Sequence, residues 1–363
     1  VDVVVVGGGI AGVSVAYELS AGASVVLCET EPVAGVHSTA RSAASYVPGH
    51  GPAPVRELIG ASGPRFAALA AELGTPPLLA PRPVLWAACD DDGERALDAL
   101  LAERAGEPDA PVRVDGERAR ELCPALRGVR AAALTAGAAD VDTDALHRGY
   151  LRGLRARGGG VRTGAPVTAI VRDGAGWRVR AGGEELRADV VVDAAGAWAD
   201  RVAALAGVPP LGLRAHRRTI AVARVPDPAR TRGGPMVVDP GERWYFKAEG
   251  DDLLVSRGDE TPVDPGDARP DPADVALALE RVEAVTGLGL RSVRTAWAGL
   301  RSFVPDRLPV VGARPGYPGF VFVAGQGGSG IETAPALAVL AAEVVRGRAD
   351  AGKLALTPAR GAP

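Results

Sequence analysis

The chain has 363 residues, 47% of them hydrophobic, and a formal net charge of −3. That length exceeds one small core and predicts two domains around a shared cleft, while the mild acidity excludes a nucleic-acid footprint, which needs a basic patch. Cys28, Cys89 and Cys123 are scattered without a CxxC, and His37, His50, His147 and His216 share no ligand spacing, so neither a disulfide framework nor a metal site is expected.

Val3–Val6 reads as a buried strand, Ala11–Ala21 as a helix and Ser24–Cys28 as a second strand ending at Glu29. No basic segment precedes the first strand, so it is not read as a signal peptide. The chain begins at Val1 without Met, which suggests that a few native residues precede it. No apolar run approaches the ~18 residues of a membrane span, and a cytoplasmic location is expected. Val33–Gly51 lacks a period and reads as a long loop, a length that usually signals function. Val55–Leu73 is helical, Pro76–Pro83 a connector, Pro83–Ala88 a strand and Asp92–Ala105 a helix. Asp144–Arg157 carries Leu146, Tyr150, Leu151 and Leu154 on one stripe behind a cap at Asp142 or Thr143. Val161–Arg180 alternates as a hairpin would. Asp189–Asp193 is a buried strand before a helix at Trp198–Ala206.

Further on, Ala215–Phe246 and Leu253–Gly258 read as strands of a second, mixed sheet, and Pro272–Thr286 as a helix. Phe320–Ala324 is a strand, followed by the turn GQGGSG and a helix at Glu332–Arg346. Nucleotide-type elements thus sit at both ends and in the middle. The expected class is α/β, with a Rossmann-like first domain that is discontinuous in sequence (1–80, 141–212 and 300–363). A second, α+β domain (81–140 and 213–299) is built on a mixed sheet.

Gly7-x-Gly9-x-x-Gly12 follows a strand and opens a helix. Gly7 permits the tight turn, Gly9 lets backbone approach a pyrophosphate, and Gly12 lets helix pack on strand. Ile10 and Ala11 bring the helix N-terminus, with its free N–H groups, toward the phosphates. Glu29 stands where an acid accepts a ribose hydroxyl. The motif alone does not separate NAD from FAD, and its plain alternative is a structural turn. The loop GVHSTARSAASYVPGHG offers small and hydroxyl residues to a phosphate–ribityl chain, or is a surface loop. VVVDAAGAW is a strand that stops at small residues, over which a dinucleotide can lie, or a tight crossover. GQGGSGIET is a second glycine turn whose helix dipole would favour a group that gains negative charge, as reduced flavin does. Arg218 and Arg301 suit a carboxylate, which a guanidinium meets with two hydrogen bonds. The only lysines are Lys247 and Lys353, so nearly all positive charge is arginine and any single arginine reads first as surface charge.

Taken together, VVVVGGGIAG with Glu29, VVDAAGAW, and PDRLPVVG leading to GFVFVAGQGGSGIETAPALA resemble the D-amino acid oxidase superfamily of FAD enzymes. The likeness runs over nearly the whole chain, and the tail segment is its most specific part. Within the superfamily HSTARSAASY, LLAPRPV, DVDTDALHRGYLRGLR, GVPPLGLRAHRR and TAWAGLRSFV are most similar to bacterial D-arginine dehydrogenases. The resemblance implies that Arg218 and Arg301 hold a substrate carboxylate, with the Tyr245 hydroxyl near it and the Gly328 carbonyl near the amine. It places Ser38, Thr39, Arg41, Ser42, Ala43 and Ala44 along FAD. Val167, Ala195, Gly196, Trp198, Gly327, Gly328, Ser329, Gly330, Ile331 and Glu332 complete the cofactor set. FAD is expected to be non-covalent, since no cysteine lies between Arg301 and Gly330 and His37 is the only residue near another known type of attachment site.

The chain departs from that pattern at three places. Val84 stands where the family has a Glu that pairs with the guanidinium of D-arginine, and a buried cation without a partner is costly. Ser45 stands for an active-site His, and His50 for a lid Tyr; His50 can hydrogen-bond, titrate or lie exposed. The expected reaction is oxidative deamination of an amino acid, D in configuration by the resemblance, with a neutral or apolar side chain. Hydride passes from Cα to flavin N5, and the imino acid hydrolyses to a 2-oxo acid. The electron acceptor is oxygen or a quinone; a quinone would set the protein against the inner membrane. Alternatives are a same-fold enzyme for a secondary amine such as sarcosine or proline, or for a 2-hydroxy acid. A non-catalytic FAD-binding protein and an NAD-dependent dehydrogenase are the others.

Overall fold

The structure, a computed structural model, describes residues 1–354 and 356–358. Two sheets organise it. The first has six strands in the order Val310–Ala313, Phe320–Ala324, Val190–Asp193, Val3–Val6, Val25–Cys28 and Gly160–Arg162. All neighbours pair in parallel except the first two. Parallel strands are buried on both faces and so read as unbroken apolar runs; VVVV, VVLC and FVFVA are buried at every residue. The helices Ile10–Leu19, Ala53–Leu73, Thr143–Ala156 and Gly330–Val345 supply much of one core around this sheet, with Tyr17, Tyr150, Phe66 and Leu337 buried in it.

The second sheet has nine strands and alternates instead. Val84–Ala88 pairs in parallel with Met236–Val238 and antiparallel with Ala131–Thr135. The long strands Arg214–Arg224 and Val293–Phe303 pair antiparallel. Side chains with period two divide between its faces. Leu85, Ala87, Ala221, Val237, Phe246 and Val255 pack into a core with Ala278 and Val282 of the helix Pro272–Thr286. Val84, Trp86, Ile220, Met236, Val238 and Tyr245 form a cluster on the opposite face.

The fold class expected from the sequence therefore stands: a dinucleotide-type parallel sheet beside a mixed sheet. Several elements differ in detail. Pro76–Pro83 is not a plain connector, because Leu79–Pro81 pairs with Ala139–Val141, which also pairs with Ser45–Tyr46. The segment expected as one hairpin splits. Gly160–Arg162 is the edge of the six-stranded sheet, and the chain then breaks at Gly164 (φ 61°) and Pro166 before the hairpin Val167–Asp173 and Gly176–Ala181. The helix after Asp193 starts as the 3₁₀ turn Gly196–Trp198 and continues as Ala199–Leu205. The expected boundaries at 80/81, 140/141 and 299/300 cut through Leu79–Pro81, Ala139–Val141 and Val293–Phe303. No described helix is long and apolar enough to cross a membrane.

Candidate functional site

A cavity of about 650 Å³ runs between the two sheets, from Glu29 and Glu31 to Arg301 and Gly328. At its first end the turn after Val3–Val6 is shaped by backbone. Gly7 has φ 107°, and a Cβ there would press on the Ala194 carbonyl, so only glycine fits. A Cβ on Gly12 would overlap the Gly7 carbonyl, which is why the helix Ile10–Leu19 can sit so close to the strand. The Glu29 carboxylate accepts from the Gly8 N–H (2.6 Å) and the Glu31 N–H (2.8 Å), which fixes it on the cavity wall. The Ile10 N–H donates to Thr39 Oγ1 at 3.0 Å, tying the helix start to the long loop. His147, to which the sequence assigned no role, lies beneath the turn with Nε2 2.8 Å from the Gly8 carbonyl. Burial holds its imidazole below the ordinary value, so it is neutral and donates that bond.

Along the cavity lie Gly9, Ala11, Ser38, Arg41, Ser42, Ala43, Val167, Ala195, Gly196 and Trp198, followed by Gly327, Gly328, Gly330 and Ile331. Arg41 donates to the carbonyls of Val36, Ala268 and Ala298 and pairs with Asp267 at 2.6 Å, so it braces the loop with its guanidinium. Trp198 packs at a tilt against His37, ring centroids 4.9 Å apart, and His37 Nε2 is 3.0 Å from Glu31. Four residues of the expected cofactor set do not line this cavity, and two of them are packed away from both cavities. Gly12 is packed under the turn, and Ser329 is buried with its carbonyl accepting from Thr333 Oγ1. Sequence reading missed Glu31, Gly299, Gln326 and Arg201 on the wall. Only Gly299 and Gln326 lay inside motifs that had been singled out.

A second cavity of about 100 Å³ opens from the far end and shares Ser42, Ala43, Arg218, Tyr245, Arg301, Gly328 and Ile331 with the first. Strand register explains how distant residues meet here. Arg218 faces Gly299 and His216 faces Arg301 across the antiparallel pair, so the two arginines are diagonal neighbours on one face. Arg218 is buried; its Nε donates to the Asp259 carbonyl at 2.7 Å, and its NH2 lies 3.7 Å from Glu260. Arg301 has no side-chain hydrogen bond or ion pair within 4 Å among the described residues, and its guanidinium rests against Gly328. Burial, and then the like charge of Arg218, hold Arg301 below its ordinary value. The Tyr245 hydroxyl is buried without a partner among the described residues. Two guanidiniums and an idle phenol thus face one spot, an arrangement that calls for an anion.

The remaining wall is apolar: Val84, Trp86, Met236 and Val238. Ser45, Ala44 (φ 54°), His50, Glu242 and Glu332 close it. Ala44 and Glu332, expected along the cofactor, line only this smaller cavity. Glu332 is buried and accepts from the Val47 N–H at 3.0 Å and from His50 Nδ1 at 3.1 Å. His50 Nε2 is 3.6 Å from Glu242. Burial alone would push the imidazole down, but the two glutamates overcome it and raise His50 to about 10. The neighbouring imidazolium brings Glu242, whose side chain is half exposed, down to about 2. Of the three behaviours open to His50 from sequence, the structure gives a hydrogen-bonded cation. At neutral pH it has no lone pair to accept a proton.

The wall fits an extended dinucleotide. A glycine turn and a carboxylate stand at one end, unpartnered Gln326 Nε2 and Tyr245 hydroxyl groups at the other, and the volume falls in the range of cofactor clefts. Fold and cleft define a dinucleotide-binding protein whose cleft runs from the glycine turn to the second sheet. A family model described as DAO, FAD dependent oxidoreductase, matches residues 2–344, and the chain belongs to that family. It is 27% identical over 241 residues to the uncharacterized oxidoreductase YurR of Bacillus subtilis, covering 65% of this chain and 63% of that one. It is 31% identical over 176 residues to FAD-dependent oxidoreductase domain-containing protein 1 of Bos taurus, covering 43% and 35%. The chain therefore spans under two thirds of either curated relative. Glycine oxidase from Geobacillus kaustophilus superposes with a TM-score of 0.87 at 22% identity, over 100% of this chain and 99% of that one. L-proline dehydrogenase from P. horikoshii gives 0.84 at 21%, over 99% and 97%. Iminodiacetate oxidase from Chelativorans sp. BNC1 gives 0.79 at 25%, over 98% and 99%. The first two of these structural matches show the shared fold alone.

Proposed function

We propose that the protein oxidises the C–N bond of a small α-amino acid, with a neutral or apolar side chain, to an imino acid. The observation that carries this is the pair Arg218 and Arg301 beside the unpartnered Tyr245 hydroxyl, where the two cavities join. The guanidiniums hold the substrate carboxylate, and Tyr245 donates to it. The Gly328 carbonyl accepts from the amine. This clamp fixes the Cα–H direction, and orientation of that kind supplies much of the rate. FAD, when bound along the main cavity, supplies the acceptor for the hydride. His50 is not the base, because its two carboxylate partners keep it charged at neutral pH. The amine enters neutral by losing its proton to solvent.

The apolar walls Val84, Trp86, Met236 and Val238 support a side chain without charge and disfavour D-arginine, whatever the likeness to D-arginine dehydrogenases. The proline and iminodiacetate enzymes of this fold keep a secondary amine open as a second reading, since the same clamp serves it. Division into an FAD unit on the six-stranded sheet and a substrate unit on the nine-stranded sheet belongs to the same proposal. So does non-covalent FAD, as no cysteine lines either cavity among the described residues. The test is anaerobic bleaching of the yellow holoprotein by D- and L-amino acids, sarcosine, proline and 2-hydroxy acids. Bleaching by short neutral amino acids is expected. Preference for a 2-hydroxy acid, or no bleaching by any of them, overturns the reading.

A further inference from the structure

We propose that Glu242 is a specificity-determining residue: its side chain, paired with His50, forms the end wall of the small cavity and limits the length of the group that extends from the arginine clamp. This rests on the clamp proposed above. A chain whose carboxylate lies on Arg218 and Arg301 leaves the clamp between Val84, Trp86, Met236 and Val238. The small cavity holds only about 100 Å³, and His50, Glu242 and Glu332 stand across its remaining side.

The Glu242 side chain is half exposed, but the backbone turn that carries it is built to stay in place. Glu242 has φ 55°, a left-handed conformation that costs a residue with a Cβ, so its surroundings must hold it there. Its N–H donates to the Asp239 carbonyl at 2.7 Å. Asp239 is fully buried and accepts from the Gly241 N–H (3.1 Å), the Arg243 N–H (3.1 Å) and Arg243 Nε (2.8 Å). Arg243 is pinned in turn by Asp90 at 2.8 Å. A Cβ on Gly258 would overlap the Glu242 carbonyl, so a second segment presses on the turn from behind. From the other side His50 reaches Glu242 while held by the buried Glu332. The loop bearing His50 is itself fastened, because the buried Arg104 donates to the Gly49 carbonyl and Arg56 to the Gly51 carbonyl. The Glu242 carboxylate is already paired with the His50 imidazolium, so the wall limits length and offers no free carboxylate to a cationic head.

The test uses the FAD-loaded protein and straight-chain monocarboxylates from acetate to octanoate, read by perturbation of the flavin absorbance, so that no turnover is required. Wild type should lose affinity sharply between propionate and hexanoate. Glu242→Gly suits the left-handed backbone and removes the wall; it should raise the hexanoate-to-propionate affinity ratio at least threefold. Glu242→Gln keeps the length and should keep the wild-type ratio. Glu242→Asn, which also tolerates this φ, should fall between and serves if the glycine variant folds poorly. The inference is overturned if wild type binds hexanoate as well as propionate, or if the ratio moves less than threefold. It is overturned together with the clamp if no carboxylate binds at all. Carboxylate binding with the expected cutoff but no bleaching by amino acids would instead remove the proposed oxidation and leave the wall standing.

Discussion

The two ends of the main cavity are made in opposite ways. At the glycine end, backbone geometry defines the site, and most of its parts come from the first forty residues: Gly7, Gly9, Glu29 and Thr39. At the clamp end, side chains define it, and they come from Ala43, Val84, Arg218, Tyr245, Arg301 and Glu332, spread over nearly three hundred positions. A local motif has little freedom to vary, because a Cβ at Gly7 or Gly12 strikes backbone. A site gathered by sheet register can change one wall residue without disturbing the frame. That contrast teaches where to look for what is shared with other members of the family and where for what is particular to this chain.

The sharpest way to break the comparison is to strike the backbone end. Gly7→Val forces a β-branched residue to φ 107° against the Ala194 carbonyl. We expect it to cost at least about 3 kcal/mol and to yield protein without flavin colour, checked by the visible absorbance of purified protein and its melting temperature. Next, Arg301→Met should leave the yellow protein intact while lowering kcat/KM for the best amino acid by about 100-fold or more, as loss of a buried charged hydrogen-bond donor costs roughly 3 kcal/mol. If flavin were lost as well, the two ends would not be separable.

A pH series probes the His50 tie. Its folded value, about 10, lies above the ordinary histidine value, so its stabilisation is complete below about 6.5, erodes as pH rises toward 10 and is absent above that. His50→Gln should therefore be less stable than wild type at pH 6 by on the order of 2–4 kcal/mol, screened at the cavity mouth, with the gap closing by pH 10.5 in denaturant titrations. A gap that widened with pH would refute the ion pairs. The smallest effect is expected from Tyr245→Phe, which removes one hydrogen bond: about a 5- to 20-fold loss in kcat/KM, or roughly 1–2 kcal/mol, seen in steady-state kinetics with flavin content unchanged.

How much of this was legible in the sequence follows the same division. The four-residue apolar runs, the glycine spacings and the acid at Glu29 declare the parallel sheet and its nucleotide edge, because those requirements are local. The cap at Asp142 or Thr143, of which the structure uses Asp142, and the helix Pro272–Thr286 are legible for the same reason. The split of the expected hairpin was not, since Gly160–Arg162 is a strand only through its pairing with Val25–Cys28. Nor was the pairing of Ser45–Tyr46 and Leu79–Pro81 with Ala139–Val141.

In the site, Arg218 and Arg301 were weighed as carboxylate partners from the residues, but only the resemblance raised them above surface charge, for in a chain so rich in arginine neither stands out. Glu242 sits in a polar turn and carried no signal at all, and Glu332 read as part of a glycine motif. By itself, then, the sequence determined the fold class, the dinucleotide cleft and the identity of the turn that anchors it, because backbone sterics act between near neighbours. The tertiary structure alone decided that His50 is a cation between two glutamates, that two arginines converge beside an unpartnered Tyr245, and that a strained glutamate ends the pocket. Those properties depend on burial and on charges brought together across the sheet, which no run of residues contains.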